Sequence, residues 1–140
     1  MRRDLTIMKL QISTDYAVRI LQYLHRQSGE VQAANSIAQS IDITYPFFIK
    51  VANQLKKHEL VSSVQGRNGG YALGRAAQEI SLYDVFLCME GELNMNRCLK
   101  TGGPCENGEV NNCKLHTFLH SLQEKLIAEL SAQSIADLAG

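Results

Sequence analysis

The sequence contains no long apolar run and carries no net charge. Its 140 residues include 45% hydrophobic side chains, but the apolar runs extend over only a few residues each, which argues against a membrane-spanning helix. Residues Met1 to Met8 lack the apolar core of a secretory signal. We therefore expect a cytoplasmic protein with no membrane partner. The hydrophobic content is still sufficient for the core of one domain, or of a domain with an arm.

The absence of net charge would by itself disfavour nucleic-acid binding, but the charges are unevenly distributed. Residues 44–75 contain five basic side chains and one acidic one, whereas residues 76–140 contain nine acidic and four basic ones. The basic middle of the chain indicates a contact surface for polyanions. Charge alone also leaves open a solvated face with scattered lysines.

Cysteine is scarce, yet three of the four cysteines fall within sixteen residues. Cys98, Cys105 and Cys113 lie in a polar, Gly- and Asn-rich loop, and the last begins a Cys-x-x-His sequence that ends at His116. Structural cysteines usually sit among apolar residues, and disulfides are rare in the reducing cytosol. The pattern therefore indicates a metal or iron–sulfur site, with a transient regulatory disulfide as an alternative. Cys88, in an apolar context, is predicted to belong to the core.

Apolar spacing predicts three helices in the first half of the chain. The first covers residues 16–27, and residues 13–15 precede it as candidate caps. A short helix follows around residues 36–40. Thr44 can cap a third helix, because its hydroxyl can accept a free backbone N–H, and Pro46 in the first turn lacks an N–H that the helix would not use.

The third helix is predicted to have one buried stripe and one mixed face. The stripe contains Phe48, Val51, Ala52 and Leu55. The opposite face contains Tyr45, Ile49, Lys50, Asn53 and Lys57, a mixture that can meet a groove. Tyr45, Lys50 and Asn53 are the candidates for DNA contact, and an asparagine can pair with adenine if the helix lies deep enough in the major groove.

After Leu60 the pattern changes from helical to extended. Residues 60–65 and 71–73 are predicted strands, joined by a Gly- and Asn-rich turn that contains Arg67. Two short helices followed by a hairpin is the order of a winged helix-turn-helix. In that architecture the third helix enters the major groove, and an arginine at the hairpin tip gains from the negative potential of the DNA. Alternatively, Arg67 is an exposed turn residue without a partner.

Residues 80–90 predict a fourth helix, and a long helix follows the cysteine loop. Its stripe at three- and four-residue spacing contains Leu115, Phe118, Leu119, Leu122, Leu126 and Leu130. The stripe favours a homodimer, and two-fold pairing suits double-stranded operator DNA with two half-sites. The predicted fold class is mainly α with a small β-hairpin: a winged helix-turn-helix domain over residues 1–79, then the cysteine loop and dimerisation helix over residues 80–140.

The chain resembles the IscR/NsrR family of bacterial regulators, also called the Rrf-two family, over nearly its whole length. The resemblance is carried by residues 8–19 in the first helix, residues 60–74 in the hairpin, the three-cysteine loop and residues 134–138. It implies a dimeric DNA-binding transcription factor. It also implies a [2Fe-2S] or [4Fe-4S] cluster on the three cysteines that senses iron–sulfur status, nitric oxide or redox state.

The resemblance leaves two candidates for the fourth cluster ligand. IscR-like members use a histidine that corresponds to His116, and NsrR-like members use an acidic residue of the partner's first helix that corresponds to Asp15. Asp15 can instead be a first-turn acid favoured by the helix dipole. Two features depart from the family: the cysteine spacing is longer than in IscR, and the third helix has Pro46, Phe47 and Ile49 in place of polar base readers. Cluster type and operator sequence therefore do not carry over.

The leading hypothesis is a homodimeric repressor or regulator whose cluster state sets how its two DNA-binding heads are placed. A structural Zn²⁺ in a Cys3His site is one alternative, and a metal-free thiol redox switch is another. An enzyme that uses Cys113 and His116 as nucleophile and base is disfavoured, because neither a third orienting group nor an oxyanion loop is evident. We therefore predict a regulator and not an enzyme.

Overall fold

The computed structural model describes residues 11–99 and 113–139, and this part of the chain is mainly helical with one β-hairpin, as predicted. The elements are α1 (Ile12–Arg26), α2 (Ala34–Ser40), α3 (Tyr45–Lys57), β1 (Val61–Val64), β2 (Gly70–Leu73), α4 (Leu82–Glu90), α5 (Lys114–Ala132) and α6 (Ile135–Leu138). Cys105 lies outside the described residues. The division of the chain after residue 79 stays a prediction.

One hydrophobic core joins helices from both halves of the chain. Leu21 of α1, Phe48 of α3, Val85 of α4 and Ile135 of α6 are all fully buried and belong to the same cluster. Burying each such side chain contributes about 1.5–3 kcal/mol. The core therefore fixes α4 and α6 against the helices that are expected to meet DNA.

Helix α3 has the buried stripe that the sequence predicts, with Phe48, Val51, Ala52 and Leu55 each no more than 1% exposed. The Thr44 hydroxyl accepts a hydrogen bond from the Phe47 N–H at 3.3 Å, which confirms the predicted cap. The prediction for Ile49 was wrong. This side chain is half-buried and packs against the core, so it does not belong to the outward face.

The start of α1 also differs from the prediction. The helix begins at Ile12, and residues 13–15 lie inside its first turn, so they do not cap it. A carboxylate oxygen of Glu90, the last residue of α4, accepts hydrogen bonds from the Gln11 N–H at 2.9 Å and from the Thr14 hydroxyl at 2.8 Å. Because this cap comes from a residue 79 positions away, local sequence could not indicate it.

The hairpin is held against the helices at two points. Strands β1 and β2 pair antiparallel, and the backbone of Tyr71 exchanges two hydrogen bonds of 2.8 Å with Gln32 in the α1–α2 connection. The Tyr71 ring also meets Phe48 edge to face, with centroids 5.3 Å apart. The hairpin is therefore tied both to α3 and to the segment before α2.

Gly70 tests how closely the hairpin approaches Gln32. A Cβ at Gly70 would overlap the Gln32 carbonyl oxygen, whereas a Cβ at Gly66 would have nothing within 4 Å. We expect Gly70→Ala to lower the free energy of unfolding by about 3 kcal/mol, because the pairing with Gln32 must open. The control Gly66→Ala carries only the backbone penalty of its positive φ, about 1 kcal/mol. Urea unfolding followed by circular dichroism measures both, and equal losses would contradict this account.

Candidate metal centre and nucleic-acid interface

Three of the predicted ligands lie together at the start of α5. Cys98 belongs to a short 3-10 turn, Cys113 is the N-cap of α5, and His116 is in the first turn of that helix. The Nδ1 atom of His116 lies 3.2 Å from the Cys98 Sγ, and the His116 N–H donates to the Cys113 Sγ at 3.4 Å. All three residues are half-buried. The site thus combines two thiols and one imidazole.

The donor types fit the group that the resemblance implies. Thiolates hold iron–sulfur clusters, thiolate with imidazole also suits Zn²⁺, and a thiolate at a helix N-terminus meets the positive end of the helix dipole. Within residues 11–99 and 113–139, however, no three His, Cys, Asp or Glu residues form a group that could hold a metal ion. The third predicted thiol, Cys105, is not among these residues. Cys98, Cys113 and His116 therefore form only part of the predicted metal site.

Asp15, the other candidate ligand, has a different partner. Its carboxylate accepts from the Nε of Arg19 at 3.2 Å, and the two side chains are 50% and 55% exposed. The Arg19 guanidinium in turn lies 5.5 Å from the centroid of the Tyr16 ring. No hydrogen bond among the described residues joins Asp15 to Cys98 or His116. Within one chain, Asp15 therefore belongs to a surface cluster on α1.

Gln123 is a contact residue that sequence reasoning missed. It is only 7% exposed, although most of α5 is exposed, and its Oε1 accepts from the Met95 N–H at 2.7 Å. Met95 belongs to residues 91–99, which we call the cysteine segment because they connect α4 to Cys98. A polar residue seven positions after His116 is the only sequence signal that could have indicated it.

Helix α4 connects the cysteine segment to α3. The Gln54 Nε2 donates to the Cys88 carbonyl oxygen at 3.1 Å, and the Cys88 Sγ donates to the Gln54 carbonyl oxygen at 3.3 Å. Cys88 is 2% exposed, which confirms its predicted place in the core, and burial raises the pKa of its thiol to about 11. It is a structural cysteine that joins two helices.

Helix α1 also contacts α3. The rings of Tyr16 and Phe47 meet edge to face, with centroids 5.6 Å apart and an interplanar angle of 89°. Phe47 lies in the first turn of α3, next to the residues expected to meet DNA. The surface cluster around Asp15 is therefore linked to α3 through Tyr16.

The residues expected to contact DNA lie on an accessible surface. Tyr45 is 49% exposed, and Lys50 and Asn53 on the same helix are exposed as well. Arg67 is exposed in the turn between β1 and β2. A basic, solvent-accessible face of α3 and a basic hairpin tip are the two surfaces that a winged helix presents to a duplex.

Much of the predicted stripe on α5 is exposed. Leu115 and Phe118 are 58% and 62% exposed, and Leu122 and Leu126 are each 39% exposed. The remaining two, Leu119 and Leu130, are half-buried. In the part of the chain that the structure describes, no helix combines the length and apolar character needed to cross a membrane.

Known proteins match this chain both in sequence and in fold. The model of the Rrf2 family, described as an iron-dependent transcriptional regulator, matches residues 10–140. The regulator NsrR of Bacillus licheniformis is 35% identical over 127 residues, which cover 88% of this chain and 84% of NsrR. IscR of Photorhabdus laumondii is 32% identical over 133 residues, 94% of this chain and 79% of IscR. These relatives are transcriptional regulators and not enzymes, as predicted.

Solved structures share the fold at lower sequence identity. CymR, the global cysteine regulator of B. subtilis, superposes with a TM-score of 0.74 and 22% identity, covering 94% of this chain and 95% of CymR. IscR of T. potens gives a TM-score of 0.69 and 23% identity, covering 93% and 85% of the two chains. The winged-helix fold with a C-terminal helix is therefore confirmed.

The chemistry of Cys88 provides a test of the contact between α3 and α4. A thiol with a pKa of about 11 has only about one thiolate in a thousand molecules at pH 8, and burial further blocks reagents. We expect iodoacetamide to alkylate Cys88 more than about 100-fold more slowly in the native protein than in urea. Peptide mass spectrometry over a time course measures this, with half-buried Cys98 as the internal comparison. A native rate within tenfold of the urea rate would contradict the contact.

Proposed function

Because the chain belongs to the Rrf2 family of iron-dependent transcriptional regulators, we propose that it is a homodimeric repressor whose affinity for operator DNA depends on an iron–sulfur cluster. The observation that carries the proposal is the 3.2 Å contact between the His116 Nδ1 and the Cys98 Sγ, beside Cys113 at the start of α5. Family membership supports DNA binding, and the thiol–imidazole group supports the cluster.

The proposed ligands are Cys98, Cys105 and Cys113 with His116 or Asp15 as the fourth. The contact with Cys98 favours His116, because its imidazole is already beside a proposed thiolate ligand. Asp15 of a second copy is the alternative, since its carboxylate is half-exposed on α1. When bound, the cluster supplies an inorganic centre that iron shortage, nitric oxide or oxidants can remove or modify.

The first proposed route from this site to DNA runs through α4. Glu90, at the end of α4, binds the start of α1, and Cys88, two residues earlier, is bonded to Gln54 of α3. A ligand shifts a conformational equilibrium only by its difference in affinity for the two states. The cysteine segment must therefore be ordered differently when its donors are free, and α4 is the element that conveys the difference to α3.

A second proposed route runs along α1. Arg19 pairs with Asp15 and lies near the Tyr16 ring, and Tyr16 packs on Phe47 at the start of α3. If Asp15 of one copy serves as ligand in the other, its pairing with Arg19 opens and the packing of Tyr16 on α3 changes. This route would link cluster occupancy in one subunit to the DNA-binding head of its partner.

Four exposed residues are the proposed DNA contacts. Lys50 on α3 and Arg67 on the hairpin would meet phosphates or the minor groove, which strengthens binding to all sequences. Tyr45 and Asn53 on α3 would meet bases in the major groove, where they would contribute sequence preference. Their exposure supports contact with a duplex, and the charge of Lys50 and Arg67 supports this division of roles.

A metal-free thiol switch is the second candidate function. The Cys98–His116 contact supports it too, because it places a half-buried thiol in a polar site, whereas the Cys88 thiol is buried in the core. CymR of B. subtilis, with which the chain shares its fold, is described as a global cysteine regulator, and one solved structure of Staphylococcus aureus CymR is of an oxidised form. A structural Zn²⁺ on the same donors is the remaining possibility.

Anaerobic reconstitution with ferrous salt and sulfide tests the cluster and its effect on DNA together. We expect wild-type protein to gain visible absorbance, with iron and sulfide confirmed by analysis, and to change its affinity for selected genomic fragments by about tenfold or more. Cys98→Ser and Cys113→Ser should lose both effects. Cys88→Ala is the matched control for cluster uptake alone, since its thiol is buried in the core and donates to the Gln54 carbonyl oxygen; its DNA affinity tests the route through α4.

The same measurements distinguish His116 from Asp15 as the fourth ligand. They also distinguish the cluster from a structural zinc and from a thiol switch. Loss of absorbance in His116→Ala alone assigns His116, and loss in Asp15→Ala alone assigns Asp15. A colourless protein containing stoichiometric zinc would support the structural metal, and a metal-free protein with oxidation at Cys98 would support the thiol switch. Either outcome, or a cluster without effect on DNA affinity, would refute the proposed sensor.

The exposed stripe on α5 tests the proposed dimer. Replacing Leu122 and Leu126 together by glutamate should convert the protein to a monomer, because it places charges on the surface proposed to pair. Sedimentation velocity measures the mass, and circular dichroism checks that the helices remain. The control Lys125→Glu changes an exposed polar residue of the same helix and should leave the dimer intact. A double variant that still sediments with twice the mass of one chain would contradict the proposal.

A further inference from the structure

Gln123 is a buried polar side chain on a helix that is otherwise mostly exposed. It follows His116 by seven residues, which is close to two turns of an α-helix, so both side chains project from the same face of α5. Leu119, between them, is half-buried beside that face, whereas Leu122, about 100° around the helix from Gln123, is exposed. The inner face of α5 therefore carries two polar groups two turns apart.

Both polar groups bind the cysteine segment. The Gln123 Oε1 accepts from the Met95 N–H at 2.7 Å, and the His116 Nδ1 lies 3.2 Å from the Cys98 Sγ. Met95 precedes Cys98 by three residues, and the Leu99 N–H donates to the Asn96 carbonyl oxygen at 3.0 Å in the turn that contains Cys98. The segment therefore runs antiparallel to α5 and is attached to it at two points.

The hydrogen bond from the Met95 N–H to Gln123 requires a defined distance and angle, whereas apolar packing does not. A backbone N–H that loses its acceptor away from water is costly, so the segment keeps its position on α5 as long as Gln123 accepts. Groups behind metal ligands that hold them in place are a general requirement for tight metal binding. Gln123 can act in this way on Cys98 through its bond to Met95, three residues earlier, although it is not itself a ligand.

We propose that Gln123 is a positioning residue that holds Cys98 beside His116 and so determines how tightly the chain binds a metal centre there. The inference rests on the proposed function for the identity of that centre. It does not depend on which residue is the fourth ligand. It also does not depend on the centre being an iron–sulfur cluster, because a single ion on the same thiols needs the same placement of Cys98.

Anaerobic titration of the reduced full-length chain with Co²⁺ tests the inference, because thiolate-to-cobalt absorbance reports both affinity and ligand type. Gln123→Met, which has similar size and no amide oxygen, should weaken Co²⁺ binding about 10–100-fold. Gln123→Glu keeps an acceptor at the same distance and should bind within about threefold of wild type. Gln22→Met is the matched control, since Gln22 donates to the Leu138 carbonyl oxygen at 2.8 Å and binds no part of the cysteine segment.

A role limited to packing would predict a different result. In that case Gln123→Met would match wild type in Co²⁺ affinity while Gln123→Glu, which introduces a buried charge, would be the weaker variant, and this pattern would overturn the inference. If Gln123→Met fails to fold by circular dichroism, Gln123→Asn takes its place, because its amide is one methylene too short to reach Met95. A Gln123→Asn protein with the Co²⁺ affinity of wild type would likewise overturn the inference.

Reconstitution of wild type with iron and sulfide separates this inference from the proposed function. One outcome is that the Co²⁺ affinities of wild type and the Gln123 variants follow the predicted order, while wild type remains colourless with iron and sulfide. This outcome would refute the iron–sulfur sensor and leave the role of Gln123 intact. Wild type that takes up a cluster while all Gln123 variants bind Co²⁺ equally would do the reverse. Wild type that binds neither would refute both.

Discussion

The burial of α4 against α1 and α3 is the constraint on which the rest of the structure depends. Val85 is fully buried in the common core, and Cys88 both fills the core and bonds to Gln54 of α3. The last residue of the same helix, Glu90, holds the start of α1. Because the cysteine segment begins immediately after Glu90, its origin is fixed relative to the proposed DNA-reading helix.

This arrangement leaves few ways for the cysteine segment to move. A displacement of residues 91–99 that extends to the end of α4 either shifts α4 together with α3 or breaks the bonds that Glu90 makes to Gln11 and Thr14. Thr14 is 1% exposed, so its hydroxyl would lose a buried partner in the second case. Close-packed cores respond to such demands by changing between discrete arrangements and not by bending gradually. A binding event at Cys98 thus has a physical means of reaching α3.

Local rules were sufficient to predict much of the fold. The cap at Thr44 and the stripe of Phe48 and Leu55 depend on neighbours within one or two helical turns, and both are confirmed. The true start of α1 could not be predicted, because Glu90 supplies its cap from another helix. The pairing of Tyr71 with Gln32 is also long-range, and neither segment has a sequence pattern that indicates it.

The candidate site was predictable in its composition but only partly in its geometry. The spacing of Cys113 and His116 fixed them on one helical turn, and Cys98 was expected nearby because it belongs to the same polar loop. The attachment of Met95 to Gln123 escaped prediction, since a glutamine on an amphipathic helix ordinarily faces water. The pairing of Asp15 with Arg19 follows i, i+4 spacing on a helix and could have been predicted.

The two candidate fourth ligands differ in what they demand of the chain. His116 already lies beside Cys98, so using it would leave the contacts of α1 with α3 undisturbed. Using Asp15 would require its ion pair with Arg19 to open, but an ion pair this exposed contributes only about 0.2–1 kcal/mol. That cost is small compared with the free energy of a metal–ligand bond, so it does not prevent Asp15 from replacing His116 as the fourth ligand. What distinguishes the two is the consequence: of the two ligands, only Asp15 would disturb the Arg19–Tyr16–Phe47 contacts, which would add a second path to α3 besides the one through α4.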